Sequence, residues 1–251
     1  MNSDQIIESL QVSGFSMVNK VPFAEETMQK VLTYAIDKVK HSNETSKSIT
    51  VNDNELYLPE ESSYSSIRNL SKLFNQAMPK KTVIYRRHDS RERGLFLDII
   101  NPDLKIRELK EDLLNSSIFQ SLQKTSGVSE SDIEFHVYYT KDCLKPRSWH
   151  IDGPSLKIFT YLTNVTEDHG PYAYQLNSQR FYDRNYLLRN GSKMNLKSLK
   201  SEVTDKYYSS ENIISVQGGK GTCFISNQAG IHRGLDQKKY MERIVLVTQF
   251  L

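Results

Sequence analysis

The sequence predicts a mainly β protein with flanking α-helices, built as a double-stranded β-helix, or jelly roll, with N-terminal helices packed on the sheet. Three observations support this fold class. The second half of the chain is a series of short β-like runs separated by Gly, Pro, Asn and Asp. The first half contains apolar residues at helical spacing. Candidate metal ligands lie in or beside the later runs, and the inner face of a jelly roll gathers side chains from several strands.

The predicted strands are short runs rich in β-branched and aromatic residues. They cover residues 14–18, 82–85, 95–100, 133–140, an extended segment around His150, 156–165, 172–176, 213–216, 222–225 and 244–250. Many short strands at modest spacing are typical of a sandwich or barrel. We expect one domain over residues 1–251, with a helix-rich part at 1–130 and the jelly-roll core at 131–251.

Four helices are predicted from apolar spacing and from start and stop signals. The first begins near Ala24 and runs to about residue 39, and the second has its apolar face at residues 67–77. The third begins at Pro102 and the fourth at Ser117, with Gly127 as its stop. Residues 41–60 are predicted to be irregular. The charged run at 86–93 is interpreted as a solvated hairpin end rather than a substrate-binding patch.

Composition narrows the class of protein. The chain has 251 residues, 37% of them hydrophobic, and a formal net charge of +3. This weak positive charge lacks the concentrated basic surface of a nucleic-acid-binding protein. We find no apolar stretch long enough for a membrane span and no signal peptide, so we expect a cytoplasmic protein. The two cysteines are interpreted as buried thiols. The sequence does not reveal the oligomeric state.

The most informative motif is Trp149-His150-Ile151-Asp152. In an extended segment, residues two apart point to the same face, so His150 and Asp152 can bind one metal ion together. A later histidine, His232, is predicted to lie on a loop between the β-like runs at 222–225 and 244–250, and it supplies the third ligand. Two histidines and one carboxylate form the facial triad of non-haem Fe(II) oxygenases. We therefore predict His150, Asp152 and His232 as the metal ligands and the catalytic centre.

The last β-like run contains an arginine among apolar residues. Arg243 precedes Ile244-Val245-Leu246-Val247, where a buried guanidinium needs an anionic partner. Phe159 and Tyr161 share a face by alternation, and we predict that they line the cofactor cavity together with Arg243. Core packing is the alternative role for the two aromatic residues.

A long polar insertion lies between the first and last ligand strands, at residues 181–212. It carries six basic residues: Arg184, Arg189, Lys193, Lys197, Lys200 and Lys206. Long insertions beside a site are often lids, and a basic lid would favour an anionic substrate through its positive potential. A loosely ordered excursion with a solvated basic face is the alternative.

The C-terminal half resembles the phytanoyl-CoA dioxygenase-like family of Fe(II)/2-oxoglutarate oxygenases, within the cupin-like jelly rolls. The resemblance rests on the Trp-His-x-Asp motif, on Phe159-Thr160-Tyr161-Leu162-Thr163-Asn164-Val165 followed by His169-Gly170-Pro171, and on Gly221-Thr222-Cys223-Phe224 leading to His232-Arg233-Gly234. Arg243 stands where that family keeps its 2-oxoglutarate arginine. The chain departs from the family at Leu176-Asn177-Ser178-Gln179 and at Leu235-Asp236-Gln237-Lys238, which weakens any transfer of acyl-CoA specificity.

The resemblance implies an activity and its cofactors. It implies that Fe(II), 2-oxoglutarate and dioxygen are used to hydroxylate an unactivated C–H bond of a small molecule, with 2-oxoglutarate converted to succinate and carbon dioxide. The resemblance does not identify the substrate, and it leaves desaturation or ring formation open as alternatives to hydroxylation. The alternatives are a cupin-like metal-binding protein without 2-oxoglutarate chemistry, a nucleic-acid demethylase, and a catalytically inactive jelly-roll binding module. Arg243 argues against a metal-binding protein without 2-oxoglutarate chemistry. The spacing between His232 and Arg243 argues against a demethylase, and the complete set of three ligands argues against an inactive binding module.

Overall fold

The fold is taken from a computed structural model, which describes residues 3–45, 50–52, 54–58, 81–86, 94–144, 146–152, 155–180 and 209–250. The predicted helix at 67–77, the charged run at 87–93 and residues 181–208 of the basic insertion lie outside the described residues.

The described chain contains four helices and twelve strands. The helices are α1 (Ser3–Ser13), α2 (Glu25–Thr45), α3 (Glu108–Leu114) and α4 (Ser117–Ser126). The strands are β1 (Phe15–Met17), β2 (Thr50–Asn52), β3 (Glu55–Leu58), β4 (Thr82–Arg86), β5 (Leu95–Ile100), β6 (Ile133–Lys141), β7 (Leu156–Tyr161), β8 (Tyr172–Gln175), β9 (Ile213–Val216), β10 (Cys223–Asn227), β11 (His232–Gly234) and β12 (Glu242–Phe250).

The strands form two sheets. The large sheet has the order β1-β10-β7-β12-β6-β5-β4-β3-β2, and the small sheet has the order β11-β8-β9. Neighbours in the large sheet are antiparallel except for β3 and β4, which are parallel. This arrangement confirms the predicted jelly roll.

Alternation along β6 separates the two faces of the large sheet. Phe135, Val137 and Tyr139 face the helices, whereas Tyr138 packs against aromatic and aliphatic residues between the two sheets. The inter-sheet core is largely aromatic: Phe15, Phe159, Tyr161, Tyr172, Tyr174 and Phe224 are all buried there. The inner face of the large sheet is therefore the surface that can carry a site.

The helices cover the outer face of the large sheet. Their buried residues include Leu10 of α1, Val31 of α2, Leu113 of α3 and Leu122 of α4, in one cluster with the sheet. Ser116 caps α4 by accepting a hydrogen bond from the Phe119 backbone N–H at 3.3 Å, and Gly127 ends the helix with φ 67. The predicted stop at Gly127 is confirmed, as is the packing of helices on the sheet. No described helix is long and apolar enough to cross a membrane.

Several predicted elements differ from the observed ones. Residues 41–60 were expected to be irregular, yet they include the end of α2 and the short strands β2 and β3, which gain their stability by pairing with each other and with β4. The helix expected from Pro102 is split into a 3-10 turn at Pro102–Leu104 and α3. The strand expected over 156–165 ends at Tyr161, and α1 was not predicted.

A buried ion pair crosses the inner face between β5 and β6. The His136 Nδ1 lies 3.0 Å from Asp98 Oδ1, and the Tyr85 hydroxyl donates to Asp98 Oδ2 at 3.0 Å. Burial lowers the pKa of His136, but the electrostatic influence of Tyr138, the charge and hydrogen bond of Asp98 and the ion pair with Glu134 at 3.2 Å outweigh burial and raise it to about 10. His136 is therefore charged at neutral pH.

The raised pKa of His136 predicts a pH dependence of stability. Because the folded pKa exceeds the unfolded value near 6.5, the pair contributes fully below about pH 6.5 and loses its contribution as pH rises towards 10. Replacing His136 with Gln should lower the free energy of unfolding near neutral pH by on the order of a few kcal/mol. In urea unfolding from pH 6.5 to 10, the difference between wild type and H136Q should shrink as pH rises. A constant difference would contradict this account.

Candidate metal centre

His150 and Asp152 lie in an extended segment that joins the edge of the small sheet. His150 forms an isolated β-bridge with His232, in which each backbone N–H donates to the other's carbonyl, at 3.1 and 2.9 Å. The Asp152 N–H donates to the Gln228 carbonyl at 3.0 Å. The segment was expected to form a strand, but it pairs with β11 through a single bridge, at His150 and His232. The prediction that it is extended is confirmed.

His232 begins β11 directly after a tight turn. The turn is closed by Gly230 N–H donating to the Asn227 carbonyl at 3.0 Å, and a Cβ at Gly230 would lie 1.9 Å from the Tyr174 hydroxyl oxygen. A side chain at position 230 would therefore push Tyr174 away from the turn. His232 was predicted to lie in a loop, and pairing with β8 instead makes it part of the small sheet.

The three predicted ligands converge. Asp152 Oδ1 lies 3.7 Å from His150 Nε2, and Asp152 Oδ2 lies 3.6 Å from His232 Nε2. One ligand atom from each residue falls within 4.8 Å of the others. The His232 side chain is 5% exposed and that of Asp152 is 28% exposed, so the group opens to solvent on the aspartate side.

Backbone carbonyls fix the orientation of both imidazoles. His150 Nδ1 donates to the Ser148 carbonyl at 2.7 Å, and His232 Nδ1 donates to the Gly230 carbonyl at 2.9 Å. Each ring therefore carries a proton on Nδ1 and turns its Nε2 towards Asp152. This orientation is typical of histidines that bind a metal ion.

Burial and mutual charge set the protonation states of the cluster. Burial, helped by the neighbouring His232, holds the pKa of His150 well below its ordinary value. Burial raises the pKa of Asp152, but the close contact with His232 and the positive charge of Lys157 outweigh burial and hold this pKa well below its ordinary value. A neutral His150 beside an ionised Asp152 is the protonation state in which these side chains bind a metal ion.

Two cations contact Asp152, and neither was singled out from the sequence. Arg147 Nη1 donates to Asp152 Oδ1 at 3.2 Å, and Lys157 Nζ donates to Oδ2 at 3.4 Å. The signal for Lys157 was present, because alternation along β7 places it on the same face as Phe159 and Tyr161. Arg147 lies in an irregular segment, and no periodic pattern identifies it.

Tyr172 supports His232 from the core. Its ring packs on the His232 imidazole with centroids 5.6 Å apart and planes 27° apart. Its hydroxyl lies 2.9 Å from Ser226 Oγ, and Gln228 Nε2 donates to the same Ser226 oxygen at 2.8 Å. This network limits the movement of His232, since the hydroxyl and the ring are both held.

Arg243 projects from β12 towards the turn before β8. It is partly buried, its Nη1 donates to the Gly170 carbonyl, and its buried Nε has no hydrogen-bond partner. Within the described residues, no carboxylate forms an ion pair with it. Burial lowers the pKa of Arg243. A buried cation with an unused N–H is a site for an anion.

Phe159 and Tyr161 share one face of β7 and are buried in the core between the two sheets, where their contacts differ. The Tyr161 hydroxyl donates to the Val216 carbonyl at 2.8 Å and accepts from the Tyr172 N–H at 3.2 Å. Tyr161 therefore ties the two sheets together. Phe159 packs on Tyr172 with centroids 4.7 Å apart and lies two residues beyond Lys157 on the same face.

Known structures share this fold. No family model matches the chain, and no curated protein matches its sequence. The epimerase SnoN, a non-heme alpha ketoglutarate dependent enzyme from nogalamycin biosynthesis, matches with a TM-score of 0.59 at 10% identity over 99% of this chain and 82% of that chain. EctD from S. alaskensis with bound Fe matches with a TM-score of 0.55 at 11% identity, over 100% of this chain and 76% of that chain. The carbocyclase SnoK from nogalamycin biosynthesis matches with a TM-score of 0.55 at 11% identity, over 100% of this chain and 86% of that chain.

These comparisons establish the fold, because identities near 10% carry no residue-level information. The chain has the double-stranded β-helix fold found in non-haem iron, 2-oxoglutarate-dependent enzymes. None of the comparisons singles out the phytanoyl-CoA dioxygenase-like family, so that narrower resemblance stays a prediction. The match covers nearly the whole chain.

Proposed function

We propose that this chain is an Fe(II)- and 2-oxoglutarate-dependent dioxygenase that hydroxylates a C–H bond of a small molecule. The observation that carries the proposal is the convergence of His150, Asp152 and His232 with both Nε2 atoms directed at the carboxylate. Two imidazoles and one carboxylate are the donor set of non-haem Fe(II) oxygenases and leave positions open for other ligands.

The residues fit the implied metal ion. His150 offers a neutral nitrogen, Asp152 offers an ionised oxygen, and His232 directs its Nε2 at the same carboxylate. When bound, the iron and 2-oxoglutarate together would supply the activation of dioxygen. The carbonyls of Ser148 and Gly230 would hold the two rings in place, and Tyr172 would support His232 from behind.

Arg243 is proposed to hold the distal carboxylate of 2-oxoglutarate. Its position supports this role, because a partly buried guanidinium with an unpartnered Nε can form a charge-assisted hydrogen bond with a carboxylate. Phe159 would form part of the cavity wall, and Tyr161 would hold that wall in place through Val216. The same arginine disfavours a metal-binding protein without 2-oxoglutarate chemistry.

The reaction type is proposed from the ligand set. Asp152 supplies a carboxylate at the position that related halogenases leave free for chloride, so hydroxylation is favoured over halogenation. Neighbours in fold include an epimerase and a carbocyclase, and the fold therefore does not choose between hydroxylation and these reactions.

The cellular location is proposed from the cysteines. Cys143 and Cys223 are both buried free thiols, which is consistent with a protein of the reducing cytoplasm.

Anaerobic titration tests the proposal. Protein loaded with one equivalent of Fe(II) is titrated with 2-oxoglutarate, and we expect a charge-transfer absorbance that saturates at one 2-oxoglutarate per iron. Admitting air should then convert 2-oxoglutarate to succinate, slowly even without substrate. Iron binding without this absorbance would identify a metal-binding protein that lacks 2-oxoglutarate chemistry. Failure to bind iron would identify a binding module.

A further inference from the structure

Lys157 is a buried cation at the metal centre. Its residue is 8% exposed, and it lies in the middle of the fold on β7, opposite Ser226 of β10 and Gln249 of β12. Lysine is almost never this buried unless its charge is paired. The described partner of its ammonium is Asp152, which is itself a proposed metal ligand.

Asp152 is the shared partner of two cationic side chains, Arg147 and Lys157, and of both histidines, and it would also bind the iron. Its Oδ1 contacts Arg147 and His150, and its Oδ2 contacts Lys157 and His232. A carboxylate that binds a divalent ion has less negative charge left for an ammonium group, so the pairing between Asp152 and Lys157 would weaken once iron is bound. Arg147 can turn to solvent, since its side chain is 40% exposed, but the Lys157 side chain is 10% exposed and cannot.

The charge balance of the loaded centre is positive. Fe(II), Lys157, Arg147 and Arg243 carry five positive charges, whereas Asp152 and the two carboxylates of 2-oxoglutarate carry three negative ones. Within the part of the chain that the structure describes, this leaves an excess of two positive charges at the loaded centre. No second carboxylate of the described residues pairs with the buried Lys157, so an anionic group of a ligand would balance its charge.

We propose that Lys157, helped by Arg147, binds a carboxylate group of the substrate beside the metal centre. This inference rests on the proposed function and assigns its substrate to the carboxylic acids. A carboxylate held there would be anchored next to the iron, with Phe159 two residues along the same strand as the adjacent apolar wall. Lys157 would then select the substrate, and Asp152 would hold Lys157 in place before the substrate arrives.

The matched probes are acetate and acetamide, which have similar shape and differ in charge. Each is titrated anaerobically into protein that already carries Fe(II) and saturating 2-oxoglutarate, at constant ionic strength. Binding is followed by calorimetry and by the change in the charge-transfer absorbance. Wild type should bind acetate at least about tenfold more tightly than acetamide, because a charged hydrogen bond is lost with the amide.

Three variants at two positions and one control locate the site. K157M should weaken acetate binding by about tenfold or more, and K157R should retain most of it. R147Q changes an exposed side chain and should weaken acetate binding by a smaller factor. If K157M does not fold, R147Q tests whether acetate binds at this site. K110M removes an exposed lysine of α3, paired with Glu130 at 2.6 Å, and should bind acetate like wild type.

The outcomes separate this inference from the proposed function. If wild type shows no charge-transfer absorbance with 2-oxoglutarate, the proposed function fails. If the absorbance forms but K157M and R147Q bind acetate as wild type does, the carboxylate site is wrong. If K157M loses affinity for 2-oxoglutarate and keeps it for acetate, Lys157 binds the cosubstrate and the inference is overturned.

Discussion

Replacing Arg243 with Leu should weaken 2-oxoglutarate binding by on the order of a hundredfold or more while leaving iron binding intact. Removing one partner of a buried charge pair costs about 3–5 kcal/mol, and each 1.4 kcal/mol is roughly a factor of ten in affinity. Leucine keeps the apolar pattern of β12 but leaves the distal carboxylate without a partner. The measurement is the anaerobic titration of the Fe(II)-loaded protein, followed by its charge-transfer absorbance.

Two companion variants sharpen this test. R243K should be intermediate, because lysine keeps a point charge but loses the planar fork that matches a carboxylate. R107L removes an arginine at the start of α3, on the outer side of the fold, and should titrate like wild type. Equal 2-oxoglutarate affinities in wild type and R243L would show that Arg243 is not the carboxylate anchor.

Removing a ligand should have the other large effect, on iron itself. D152A and H232A each take away one of three protein donors, so we expect the affinity for Fe(II) to fall by more than about a hundredfold. Loss of a residue that merely orients a metal ligand already lowers the affinity for the metal by about 10- to 100-fold. Iron bound per chain is measured after chelation and anaerobic refilling at a fixed concentration of free Fe(II).

A histidine outside the centre provides the control for these ligand variants. His41 lies on the exposed side of α2, with its Nδ1 at 3.0 Å from the Asp37 carbonyl, and H41A should refill with iron like wild type. Circular dichroism should show that the ligand variants keep the wild-type fold. Folded D152A and H232A proteins that refill to one iron per chain would rule out the assigned triad.

The ligand set was predictable because it depends on local rules. His150 and Asp152 are two residues apart in an extended segment, and this spacing alone places both side chains on one face. His232 was identifiable as a histidine between two β-like runs. The direct pairing of the His150 and His232 backbones, by contrast, could not be predicted. It depends on how the chain folds back, and no local pattern contains that information.

The remaining misses have physical reasons. β2 and β3 are short and become strands by pairing with β4, so their sequences alone give a weak signal. α1 buries Ile6, Ile7 and Leu10 against the sheet, and its remaining residues are mostly polar, so its stability depends on packing that the sequence alone does not show. Lys157 was overlooked because a lysine in a strand usually faces solvent, whereas β7 is buried on both faces.

The most direct test of the central claim is a crystal structure of protein grown anaerobically with Fe(II) and 2-oxoglutarate, with data collected at the iron absorption edge. The account predicts one anomalous peak within about 2.2 Å of His150 Nε2, His232 Nε2 and an Asp152 carboxylate oxygen. It also predicts the distal carboxylate of 2-oxoglutarate on the Arg243 guanidinium. An iron peak away from these three side chains, or a 2-oxoglutarate carboxylate bound elsewhere, would contradict the account.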